Sequence, residues 1–159
     1  MPIDADTFRS VLGRFASGVT IVTARDGDGH DHGMTVSAFC SLSLSPPLVL
    51  ACVDHVASMH EVLRESSHFA VNILASGQEA LSRRFATPEA SRRFEGIGFS
   101  RAEGGAALLD DALAVLECRL IDCHSRGDHT IFIGEVEAAT SHAGRPLLYY
   151  RGGYAQLER

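Results

Sequence analysis

Apolar residues at Phe8, Val11, Leu12 and Phe15 follow the i, i+3, i+4, i+7 spacing that gathers side chains on one side of a helix. This pattern predicts an N-terminal helix laid on a core, capped by Asp4 or Asp6 and ended by Gly18. The period then changes. "VTIVT", Val19 to Thr23, is β-branched throughout, and the Gly/Asp-rich "DGDGHDHG" that follows reads as the long tip of a hairpin. Its return strand begins the stretch "GMTVSAFCSLSLSPPLVLACVDH", Gly33 to His55, which Pro46 and Pro47 divide. "LVLACV" is apolar at every position and predicts a strand buried on both faces.

Further along, Ser58 and Glu61 in "SMHEVLRES" have the spacing of a capping box, which predicts a helix starting at Ser58. Ser76 and Glu79 repeat the signal after the strand pattern "FAVNIL", and "PEASRRF" adds a further helical piece. "LAVLECRLIDC" alternates between apolar and polar positions, turns at "SRGD" and returns as "HTIFIGEVEAA", a second hairpin. "RAEGGAALLDD" is the loosest stretch and reads as a surface connection. About six strands with helices inserted mainly in the middle fit a small, mostly antiparallel barrel better than a doubly wound sheet.

Composition narrows the partners. The chain has 159 residues, 45% of them apolar, which suits one well-packed domain over residues 1–159. A formal charge of −6 argues against nucleic acid and anionic membranes as partners while leaving room for one small anionic ligand at a local basic patch. The first residues lack a basic segment followed by an apolar run, and "LVLACV" is too short to span a bilayer, so a cytoplasmic protein is expected. The four cysteines, Cys40, Cys52, Cys118 and Cys123, form no C-x-x-C pair and lie in apolar runs, where reduced core thiols are expected. His30 and His32 sit in a Gly/Asp turn without a rigid frame, so a solvated tip is expected there and no metal site.

Thr35, Ser37, Ala38 and Ser41 make the middle strand unusually bare. Two readings fit: a solvated strand edge, or a backbone kept clear so that its N–H and C=O groups can meet a flat or phosphorylated ligand. A hydroxyl-capped helix start at Ser58 would add N–H groups and a positive dipole end for a phosphate.

Five ordered blocks, "FASGVTIVT", "GMTVSAFCSLSLSPPLVLACV", "FAVNIL", "GDHTIFIGEV" and "PLLYYRGGYAQL", give the chain a strong resemblance to the short-chain NAD(P)H:flavin reductases from about Phe8 to Leu157. These are the reductase partners of two-component flavin monooxygenases. The resemblance implies a split β-barrel that binds FMN or FAD, takes hydride from NADH or NADPH, and forms a homodimer with flavin near the subunit interface. It implies that Thr35, Val36, Ser37 and Ala38 pass along the flavin ring system, with Cys52, Val53 and Asp54 on the neighbouring strand and Ser58 at the phosphate. Arg93 and Phe94 are flavin neighbours by the same resemblance, although Arg92 stands where the family often has an acidic residue. His129, in "GDH", falls where nicotinamide is expected and is the principal candidate; a turn histidine bonded to nearby backbone is the plainer reading, and Asp128 would shape the turn. Tyr154 either closes over the site or packs at a dimer contact.

Such chemistry needs positioning rather than a protein nucleophile, in keeping with the lack of a recognisable triad. No G-x-G-x-x-G fingerprint is present to select a nicotinamide nucleotide. A flavin-holding electron carrier or redox sensor of the same fold, or a metal- or ligand-binding barrel built around the histidines, are the alternatives.

Overall fold

The computed structural model describes residues 2–158. In chain order it contains α1 (Ala5–Leu12), β1 (Ser17–Gly18), β2 (Thr20–Arg25), β3 (Asp31–Val36), β4 (Phe39–Leu44), β5 (Pro47–Asp54), α2 (Ser58–Glu65), β6 (His68–Ile73) and α3 (Glu79–Arg84). A 3-10 turn at Ala90–Arg92 follows, then β7 (Phe99–Arg101), β8 (Ala107–Leu109), β9 (Ala114–Arg126), β10 (His129–Ser141), β11 (Leu147–Tyr150) and β12 (Gly153–Gln156). The chain is therefore mostly β, with more strands than the sequence pattern predicts.

Seven strands form one antiparallel sheet in the order β3-β2-β6-β9-β10-β5-β4. No ladder joins β3 to β4 among the described residues, so the sheet stays open. β1, β11 and β12 make a second small sheet and β7 and β8 a third. The long β9–β10 hairpin shifts register between Ile133 and Gly134 and again between Val136 and Ala138, which bends it over the core. Gly134 permits the bend: a Cβ there would lie 2.5 Å from the Phe69 ring and 2.9 Å from Cys118 Cβ. One apolar cluster gathers Val22, Val36, Val53, Leu63, Phe69 and Phe132; a second gathers Ile21, Leu74, Phe85 and Leu147.

Several expectations change. The α1 stripe is exposed instead of lying on the core, with Phe8 53% and Phe15 80% accessible, and the helix ends at Gly13, well before Gly18. Asp4, not Asp6, is its cap, accepting the Thr7 N–H at 2.8 Å. Ser58 is the first residue of α2, not its cap; that position belongs to Ala57, and no side chain caps the helix. Ser76 likewise gives way to Gln78, whose Oε1 accepts the Ala75 N–H at 2.8 Å. In β5 only alternate residues, Val49, Ala51 and Val53, are fully buried, because one face of the strand lies on the core and the other is half-covered.

"RAEGGAALLDD" is not a loose connection. Buried Asn72 donates to Ile21 O at 3.0 Å and accepts from Leu109 N at 2.9 Å, while Thr23 Oγ1 donates to Ala107 O at 2.6 Å. These bonds dock the β7–β8 hairpin on the sheet and bury Ala102, Ala106, Ala107 and Leu109. Only Cys118 is a core thiol; Cys52 is half-buried, and Cys40 and Cys123 are exposed.

Candidate functional site

Strand alternation divides β5 and β10 between two tasks. Val49, Ala51 and Val53 of β5, with Thr130 and Phe132 of β10, point into the core. Leu50, Cys52 and Asp54, paired in register with Ile133, Ile131 and His129, occupy the opposite, half-covered face. Ser37 and Ala38 lie at its margin, between the end of β3 and the start of β4, and both are exposed.

Their backbone is free on the donor side. Ala38 O accepts the Cys52 N–H and Ser37 O accepts the Phe39 N–H, each at 2.9 Å, which fixes the crossing against β5. Among the described residues the N–H groups of Ser37 and Ala38 have no acceptor. Two adjacent free donors, exposed and flanked by small side chains, suit a flat heterocycle rich in acceptor atoms along one edge. The flavin pyrimidine edge is such a group, so these residues fit it. Beside them, burial and then the nearby Cys40 push the Cys52 thiol up, so it stays neutral and apolar.

His129 stands at the tip of the β9–β10 hairpin, opposite Asp54 in the ladder. From Ala38 it is reached by crossing to Cys52, advancing about 7 Å along β5 to Asp54, and crossing one further strand spacing of about 4.8 Å. The Nδ1 atom lies 2.6 Å from Asp128 Oδ1, which orients the ring and leaves Nε2 for another partner. The hydrogen bond to His129 holds the Asp128 carboxyl below the usual carboxylate range. Asp128 O also accepts the His55 N–H, joining the tip to the start of α2.

The remaining predicted residues separate into distinct positions. Thr35 is tied inward: its Oγ1 donates to Ser82 O at 2.6 Å, and Ser82 Oγ lies 2.7 Å from the Tyr154 hydroxyl. The Arg83 guanidinium lies over the Tyr154 ring at 4.9 Å, which covers one face of that ring. Val36 and Val53 bury their side chains in the core, leaving only main chain to meet a ligand. Ser41 is exposed on edge strand β4. Ser58 is exposed at the start of α2, where Glu61 in the first turn opposes an anion.

Arg93 and Phe94 depart furthest from the expectation. Arg93 is 9% exposed, donates to Gly33 O at 2.7 Å and to Thr87 O, and leaves a buried Nε without a partner among the described residues. Phe94 packs edge-on between Phe85 and Phe99. Both brace β3 from behind because their side chains are committed to the interior. The hairpin tip brings Asp26, Asp28 and His30 together, but Asp26 already accepts from the Asp28 and His30 N–H groups and contacts His32 Nε2 at 2.8 Å.

Sequence reasoning missed Ser82 and His60. His60 is buried with Nε2 2.7 Å from Thr130 Oγ1, edge-on to His55 and Phe132, locking α2 to the strand that carries His129. A histidine on the apolar stripe of α2 beside Met59 and Leu63 was the available signal. Nothing in the sequence marked Ser82, whose role depends on two distant strands meeting.

Residues 12–158 match the family model described as a flavin reductase like domain. The chain is 44% identical over 156 residues to the reductase component of 4-nitrophenol 4-monooxygenase/4-nitrocatechol 2-monooxygenase from Rhodococcus opacus, covering 98% of this chain and 83% of the other. It is 42% identical to an NADH-dependent FAD reductase of Streptomyces globisporus, covering 96% and 85%. The solved NADH:FAD oxidoreductase from Streptomyces globisporus C-1027 superposes with a TM-score of 0.93 at 40% identity, covering 100% of this chain and 96% of that one. A second structure of that oxidoreductase, in complex with NAD and FAD fragments, gives 0.91 at 39% identity, covering 99% and 96%. With this agreement in sequence and fold along nearly the whole chain, the protein belongs to the flavin reductase-like domain family.

Proposed function

We propose that this protein is an NADH-dependent flavin reductase that delivers reduced flavin to a partner monooxygenase. The observation that carries the reading is the pair of free N–H groups at Ser37 and Ala38, at the margin of the half-covered face that carries His129. The relatives named as NADH-dependent reductases and as monooxygenase reductase components support the donor and the partner. Flavin and nicotinamide supply the hydride chemistry when bound. The chain's task is to hold them: the Ser37–Ala38 backbone donates to the flavin edge, small side chains keep the approach open, and His129, oriented by Asp128, steadies the nicotinamide. Cys52 and Asp54 main chain completes the floor.

The same reading takes residues 1–159 as one domain of split-barrel type, working in the cytoplasm as a homodimer. Exposed Leu42 and Leu44 on β4, together with the bare α1 stripe, support a second copy as the cover. No helix among the described residues is long and apolar enough to cross a membrane.

A steady-state assay crossing FMN and FAD with NADH and NADPH tests the function. NADH oxidation that depends on added flavin supports it. Tightly held flavin without nicotinamide turnover favours an electron carrier. Solution mass at micromolar concentration tests the dimer, and a fully active monomer would refute it.

A further inference from the structure

β3 is the last strand at one end of the seven-stranded sheet, so β2 is its only ladder partner and its outer edge has no strand beside it. An edge of this kind is poorly fixed unless other groups take its backbone donors and acceptors. Here the segment from Ser82 to Arg93 does so. The Thr35 N–H donates to Phe85 O at 3.2 Å, Thr35 Oγ1 donates to Ser82 O at 2.6 Å, and Arg93 donates to Gly33 O at 2.7 Å. The contact is close: a Cβ at Gly33 would lie 2.6 Å from the Phe85 ring. Along this edge Thr35 is the last anchored residue, and the free Ser37 donor follows about 7 Å further on.

The anchor must itself be fixed. α3 has six residues, too few to hold a helix alone, and no side chain caps its start. Tyr154 reaches it from β12. The Tyr154 hydroxyl lies 2.7 Å from Ser82 Oγ, and the Arg83 guanidinium covers the same ring. Ser82 is completely buried, so water does not compete for its side of that bond, and neither hydroxyl has another hydrogen-bond partner among the described residues. One residue of α3 thus faces two ways: its side chain meets Tyr154 and its carbonyl meets Thr35.

We propose that Ser82 and Tyr154 are positioning residues for flavin: their hydroxyl bond fixes the Ser82 carbonyl, the carbonyl holds Thr35, and Thr35 sets where the Ser37 and Ala38 donors stand. The proposal rests on the flavin-reductase reading above. It gives Tyr154 a part in binding that needs no contact with the ligand. Ser82, with no exposed surface, reaches a ligand only through its neighbours.

Tyr154→Phe and Ser82→Ala, singly and together, test it, because each single change leaves the other hydroxyl without its partner and the double change leaves neither. Thermal melts and fluorescence titrations with FMN and riboflavin are recorded for each. Each single variant is expected to bind FMN and riboflavin alike about three- to tenfold more weakly, the size of one lost hydrogen bond. The double variant should bind no more weakly than either single one, because both remove the same bond, while regaining part of the melting temperature. At saturating flavin kcat should stay within about twofold of wild type, so that the change falls on the KM for flavin. In the flavin-free protein the Ser37 and Ala38 amide NMR signals should move in Ser82→Ala. Thr35→Val, which removes the next hydroxyl along the path, should reproduce the loss, and Thr35→Ser, which keeps it, should bind within about twofold of wild type.

Affinities that recover with the melting temperature in the double variant would make the bond merely structural and overturn the proposal. So would wild-type affinity in Ser82→Ala beside a loss in Tyr154→Phe, since Tyr154 would then meet the ligand itself. Unmoved Ser37 and Ala38 signals, or unchanged affinity in Thr35→Val, would overturn it as well. Wild-type protein that binds neither FMN nor riboflavin would overturn the reading on which it rests.

Discussion

The two faces of the β5–β10 pair share a backbone and differ in nearly everything else. On one, Val53 and Phe132 are completely buried, and His60 is tied to Thr130. On the other, Cys52 and His129 are half-covered, His129 keeps a ring nitrogen available, and the neighbouring Ser37 and Ala38 have unspent donors. Strand alternation lets a single residue step separate stability from function: the closed face fixes strand positions so that the open face can keep polar groups unsatisfied at no expense to folding. The pair His60 and His129 makes the same point in one residue type. The histidine with its Nε2 partnered in the interior is architecture, and the half-exposed one with a free edge is the candidate for ligand contact.

Breaking the closed face should have the largest effect. Phe132→Ala, at a completely buried ring, is expected to cost about 3–5 kcal/mol, seen in chemical denaturation, and to abolish activity only by unfolding the protein. On the open margin, Ala38→Leu should leave circular dichroism and the melting temperature unchanged while weakening flavin binding by about tenfold or more, since the added side chain occupies ligand space. Unchanged flavin affinity in that folded variant would remove Ala38 from the site. His129→Ala should spare flavin affinity and raise the KM for NADH by up to roughly tenfold, the loss of one polar contact. Wild-type kinetics would defeat that assignment, and loss of flavin alone would move His129 to the other half of the pocket.

The smallest effect concerns Asp128. Its hydrogen bond to His129 lowers the carboxyl from 3.8 in the folded protein. The stability this contributes is present above that ordinary value and lost as pH falls through the lowered one. Asp128→Asn should therefore shift the acid-unfolding midpoint slightly and leave neutral-pH stability near that of a variant lacking the contact, His129→Ala. A midpoint identical to wild type would show the contact to be energetically silent.

The strands around the site were legible because their signals are local: a β-branched run for β2, a short apolar stretch for β6, alternation for β9, and a Gly-Asp tip for the hairpin that carries His129. The bare Ser37–Ala38 backbone was legible for the same reason. Helix caps were misread because the Ser-x-x-Glu spacing does not reveal where the backbone enters the helix; Ala57 and Gln78 took the positions assigned to Ser58 and Ser76. The α1 stripe was misread because periodicity identifies an apolar side without identifying what covers it. Arg93, a flavin neighbour by resemblance, gave no sign in the sequence that its side chain binds Gly33 O and Thr87 O, because Gly33 lies on a distant strand. Docking of the β7–β8 hairpin depended on Asn72, whose partners lie far away in sequence.

Amide hydrogen exchange followed by NMR, with and without FMN, tests the flavin platform most directly. The Ser37 and Ala38 amides, exposed and without acceptors in the protein alone, should exchange rapidly and become protected when FMN is added, while the Val53 and Phe132 amides in the ladder should remain slow throughout. FMN that binds without protecting either Ser37 or Ala38 would contradict the assignment of this backbone as the flavin platform.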